Sequence, residues 1–172
     1  MTRQPENLAQ QTGFNMKITK YLTFILKGQP YGVPIGAVRE INRVTEITPV
    51  PQTPAFVAGV INLRGKVIPV VDLRMKLGMP NTQQTKQTCI IVIEGQSEQV
   101  GMIVDSVSGV VDLSEDQIEP RPTMGNEDKL NYVLGMGKID NNVVILIDIV
   151  KALNKEELTK IYSTIESSQI AA

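Results

Sequence analysis

The sequence contains no histidine, no tryptophan and a single cysteine. Without histidine there is no imidazole to act as general base, metal ligand or phosphate acceptor, and Ser-His and Cys-His nucleophile pairs are excluded. One thiol, Cys89, cannot form an intramolecular disulfide or a thiolate zinc cluster; it reads as a small strand residue in a protein of a reducing compartment. Aromatic residues make up only 4%, so Val, Ile and Leu must fill the core. No run reaches the ~18 apolar residues of a membrane span. Residues 1–16 also lack the apolar segment of a signal peptide, so a cytoplasmic protein without membrane insertion is expected. Charge of either sign is not in excess, with 17 basic against 18 acidic residues, and no bulk field would hold nucleic acid. Phosphate and calcium loops are missing as well. Arg64-Gly65-Lys66 lacks the spacing and hydroxyl of a P-loop, and residues 112–116 lack the spacing of a calcium site. No catalytic residue, metal or cofactor is expected.

What is present is a repeated β pattern. Residues 59–77, GVINLRGKVIPVVDLRMKL, read as strand, tight turn at Arg64-Gly65, strand, and a short helical turn capped by Asp72. Asp148 stands 76 residues after Asp72 (148 − 72), and at that offset residues 135–153 align with 59–77 without a gap. The apolar skeleton repeats while the polar turn does not: Asn62, Arg64 and Gly65 face Lys138, Asp140 and Asn141. A second echo has an offset of 69 (101 − 32), matching Gly32, Val38 and Ile41 to Gly101, Val107 and Val110. The chain therefore reads as two similar halves, about 17–86 and 87–153, each of about five short strands. Sheets this small need closure to hide their edges, which favours two barrels over one larger sandwich. Residues 1–16 read as a disordered arm and 163–172 as a frayed tail. Leu158, Ile161, Tyr162 and Ile165 mark an amphipathic C-terminal helix over about 149–166. Residues 112–118 read as a helical turn with Asp112 or Ser114 as cap.

The residues point to an interaction surface rather than to chemistry. Arg64 sits on a rigid hairpin turn, where a guanidinium can grip a carboxylate or partner carbonyls. Glu40 is a candidate partner charge, and Val38, Val104 and Val107 are candidates for an apolar groove between the halves. Asp72 and Asp148, both between a strand and a helical turn, read as caps rather than as paired catalytic carboxylates. A small barrel that binds ligands or single-stranded nucleic acid would need basic grooves with aromatic platforms, which this composition does not offer.

Taken together, Tyr31-Gly32-Val33-Pro34-Ile35, Val38-Arg39-Glu40-Ile41, residues 54–65 ending in Asn-Leu-Arg-Gly, Pro69-Val70-Val71-Asp72-Leu73-Arg74, Val104-Asp105-Ser106-Val107 and Leu146-Ile147-Asp148-Ile149 resemble the CheW family of chemotaxis adaptors. The resemblance spans residues 20–161 or so. It implies one domain over 17–162: mainly β, two SH3-like five-stranded β-barrel subdomains around a shared core, with short helical turns and a C-terminal helix. It implies a non-catalytic scaffold joining chemoreceptor cytoplasmic tips to the regulatory domain of the histidine kinase CheA. Further copies of the adaptor would sit in rings beneath membrane-associated receptor arrays. By position it assigns receptor binding to Val38, Glu40, Gly59, Asn62, Arg64 and Val104, and kinase contact to Glu119 and Met124.

Overall fold

The structure is a computed structural model that describes residues 17–79, 83–95, 98–121, 131–153 and 159–164. Eleven strands are present among them: β1 Ile18–Leu26, β2 Gln29–Pro34, β3 Val38–Arg43, β4 Val57–Leu63, β5 Lys66–Asp72, β6 Cys89–Glu94, β7 Gln99–Val104, β8 Ser106–Ser114, β9 Ile118–Glu119, β10 Val133–Ile139 and β11 Asn142–Ile147. Two single-turn helices, α1 Leu73–Lys76 and α2 Ile149–Ala152, follow β5 and β11. Asp72 caps the first through the Arg74 and Met75 N–H groups, and Asp148 caps the second through Val150 and Lys151. Both capping assignments from sequence hold.

The strands form a five-stranded sheet in the order β3-β6-β7-β5-β4 and a six-stranded sheet in the order β8-β1-β2-β11-β10-β9, in keeping with two SH3-like barrels. The split expected at residue 86 is not the split of the sheets. β1 and β2 leave their own half to join the second sheet, and β6 and β7 join the first. The cause is visible in two parallel pairings, β5 with β7 and β11 with β2. Each half contributes its first hairpin to the other half's sheet.

The internal repeat is nevertheless kept residue by residue. Val70 lies opposite Gly101 in one sheet and Leu146 opposite Gly32 in the other. Bulges recur at equivalent places, between Val57 and Gly59 and between Val133 and Gly135. The Asp72 N–H donates to Phe56 O at 2.7 Å, and the Asp148 N–H to Tyr132 O at 2.7 Å.

The central strands are apolar on both faces because each faces two cores. On β6, Ile90 and Val92 point into a core private to the first barrel, with Ile61, Ile68, Val70 and Ile103. Ile91 and Ile93 point the other way, into a shared core with Phe24, Leu26, Val33, Val71 and Met102. The second barrel has its own small core of Tyr21, Leu113, Val144 and Leu146.

Two local expectations fail. Asp112 is not a cap: it lies within β8, opposite Lys20 of β1, and pairs with its ammonium at 2.9 Å. The Gly-Val-Val-Asp-Leu-Ser run is an edge strand whose polar members face water. Ser114 precedes a 3-10 turn at Glu115–Gln117, as the other reading had it. The helical spacing of Ile35, Val38 and Ile41 also stops early. The 3-10 turn covers only Ile35–Ala37, and Val38 already begins β3. At the C-terminus, residues 149–152 and 159–164 are helical. Ile161 is buried against Val57. The expected arm at 1–16, Leu158, Ile165 and most of the tail lie outside the described residues.

Candidate functional site

β3 and β4 are the two outer strands of the five-stranded sheet. The turn after β4 carries Arg64 back toward β3 and so spans the gap between the sheet's edges. Arg64 and Gly65 both have positive φ, 53° and 85°, the geometry of a primed hairpin turn that matches strand twist. Asn62 fixes the turn: its Oδ1 accepts the Gly65 N–H at 2.8 Å.

The Arg64 guanidinium donates from Nη1 to Glu40 Oε2 at 2.7 Å and from Nη2 to Oε1 at 3.4 Å. Asn42, two residues along β3 on the same face, donates Nδ2 to Glu40 Oε1 at 2.8 Å. Hydrogen bonding by Arg64, then by Asn42, holds the Glu40 carboxyl below the usual carboxylate range. The same contact holds the guanidinium above its ordinary value. Arg64 remains 79% exposed, so it offers unspent donors to solvent while its position is fixed.

The expected receptor residues divide into three groups. Glu40, Asn62 and Arg64 meet at one turn. Val38 is half-buried where β3 begins, packed on the shared core. Gly59 and Val104 are not surface groups. Val104 is fully buried at the end of β7, so it is a core residue rather than a groove lining. Gly59 is buried with φ +146°, and a Cβ there would lie 2.2 Å from Thr48 O. Its absence lets the Thr48 backbone pair with Val60 through two bonds of 2.8 and 2.9 Å. Glu119 is exposed on β9 and ion-paired with Lys138, while Met124 lies outside the described residues. Sequence reasoning missed Asn42. The two-residue spacing from Glu40 on a strand was the available signal.

Among the described residues no group of three or more Cys, Asp or Glu could hold a metal ion, and no helix is long and apolar enough to cross a membrane. The model of the CheW-like domain matches residues 20–157. The chain belongs to the CheW-like domain family. Within that family it is 34% identical to the chemotaxis protein CheW of Klebsiella aerogenes over 148 residues, 86% of this chain and 89% of that one. It is 37% identical to the chemotaxis protein CheW of Rhizobium meliloti over 136 residues, 79% of this chain and 88% of the relative. Among solved structures it is similar to the scaffolding protein TtCheW of Thermoanaerobacter tengcongensis, with TM-score 0.74 and 34% identity, covering 82% of this chain and 96% of that one.

Proposed function

We propose that this chain is a non-catalytic chemotaxis adaptor that couples chemoreceptors to the histidine kinase CheA, so that receptors control kinase activity in signalling arrays. Membership of the CheW-like family supports the coupling role. The observation that carries the receptor site is the Arg64–Glu40–Asn62 turn, an exposed cation held rigid on a strand gap. A receptor tip is a helical hairpin. It can lay an apolar face beside Val38 while Arg64 meets a carboxylate or helix-end carbonyls, which sets register. Gly59 contributes through the backbone path it permits. Glu119 and the segment containing Met124 would face the regulatory domain of the kinase, and copies of the adaptor would alternate with that domain in rings. The protein would then be a cytoplasmic one recruited to membrane-associated arrays.

Arg64→Glu is the direct test. It replaces an exposed side chain at a turn and should leave the circular dichroism spectrum and melting curve in place. Capture by a receptor tip fragment in a pull-down should fall at least tenfold. Unchanged capture would remove Arg64 from the receptor site.

A further inference from the structure

The chain passes between the two sheets at two equivalent points, from β2 to β3 and from β7 to β8. The two crossings are built differently. At the second, the single linking residue is Asp105. Its N–H donates to Ile25 O at 3.0 Å, and its Oδ2 accepts the Lys27 N–H at 2.7 Å, both in the six-stranded sheet's first hairpin. Its Oδ1 accepts from Arg74 Nη1 at 2.7 Å. Arg74 belongs to the five-stranded side. Its Nε and Nη2 grip Asp72 at 3.0 and 2.9 Å, and Nη1 also donates to Gln83 O at 2.9 Å. The side chains of Arg74 and Asp72 are only 5% and 9% exposed.

At the first crossing the residue equivalent to Asp105 is Gly36, 69 positions earlier (105 − 36), with open space where a side chain would be. The residue equivalent to Arg74 is Val150, 76 positions later (150 − 74), and it is 41% exposed. Duplication has kept the caps Asp72 and Asp148 but only one charged bridge.

We infer that the Asp72–Arg74–Asp105 cluster is a positioning device that fixes the angle of one barrel on the other. The shared core cannot do this alone. Apolar packing is non-directional and tolerates small rotations, whereas a guanidinium held between two carboxylates has a fixed geometry. The bridge acts at one crossing, and Val38 and Glu40 follow the other, which has no such bridge. This goes beyond the adaptor reading and needs no partner to test it.

The measurement is an electron-spin distance distribution between labels at Lys66→Cys and Asn142→Cys, two exposed equivalent positions, one on each barrel, in a Cys89→Ser background. The parent should give one narrow distance. Asp105→Ala should broaden or split it, and Asp105→Asn, which keeps size and one acceptor, should do so to a lesser degree and guards against failure of the alanine variant to fold. Val92→Ala, which cuts into the first barrel's private core, should lower the melting temperature yet leave the distance narrow. Unchanged width in both Asp105 variants would overturn the inference, as would equal broadening in Val92→Ala.

Discussion

A Cβ at position 59 would stand 2.2 Å from a backbone oxygen that has nowhere to retreat, since Thr48 is paired to Val60 on both of its polar groups. Gly59→Ala should therefore destabilise the fold by roughly 2 kcal/mol or more, read by urea denaturation. Receptor capture should fall only as far as the folded fraction does. Gly65→Ala meets no neighbour within 4 Å and bears only the strain of φ +85°, so it should cost about 1 kcal/mol. The family resemblance flagged Gly59 as a binding residue. Its physical role was not legible, because nothing in sequence places residue 48 against residue 59. The Glu40–Arg64 pair was legible as two candidate charges, though not as a closure of the strand gap. Because Glu40 is depressed by its partners, the pair is complete above its ordinary value of 4.5 and is lost as pH falls through the lower folded value. An NMR titration of the Glu40 carboxyl should show that lowered midpoint, and Arg64→Ala should move it up toward 4.5.

Among the elements, the C-terminal helix shows how far spacing carries. The amphipathic pattern pointed to Ile161 and Tyr162, and both are engaged: Ile161 packs on Val57, and the Tyr162 hydroxyl donates to Gln99 O. The pattern could not say which barrel receives them. Burial, helped by the nearby Glu98 charge, pushes the Tyr162 phenol up to about 12, against the weaker opposing effect of its carbonyl partner. A raised phenol binds its proton more tightly in the folded state. That contribution is whole below the ordinary value of 10.0 and is lost as pH rises toward about 12. Ultraviolet difference titration should show a late phenolate step that Tyr162→Phe abolishes. If Tyr162→Phe instead removes a step near 10, the helix does not hold Tyr162 in its buried place. Edge strand β8 was misread for the opposite reason. Alternate residues over its middle, Ser108, Val110 and Asp112, face water, so Asp112 and Ser114 looked like turn residues although only Ser114 begins a turn.

At the scale of the whole molecule, the duplication was legible in the gapless alignment of residues 59–77 with 135–153. The exchange of hairpins between halves was not, because strand periodicity reports faces and not partners. The exchange has a direct consequence. Separate chains of residues 17–86 and 87–153 should each be unfolded, since the first lacks β6 and β7 of the five-stranded sheet and the second lacks β1 and β2 of the six-stranded sheet, and mixing them should restore β structure by circular dichroism. Two independently folding halves would contradict the pairing. In the proposed adaptor role, the strand-gap arginine of the double barrel would face one partner, and another face would be left for a second. Calorimetric titration of the full chain with a receptor tip fragment, then with the kinase regulatory domain, tests this most directly. The account predicts that both bind the same molecule, and that Arg64→Glu weakens the receptor fragment at least tenfold, about 1.4 kcal/mol, with the kinase domain bound as before. Equal receptor affinity in the variant, or loss of both partners together, would contradict it.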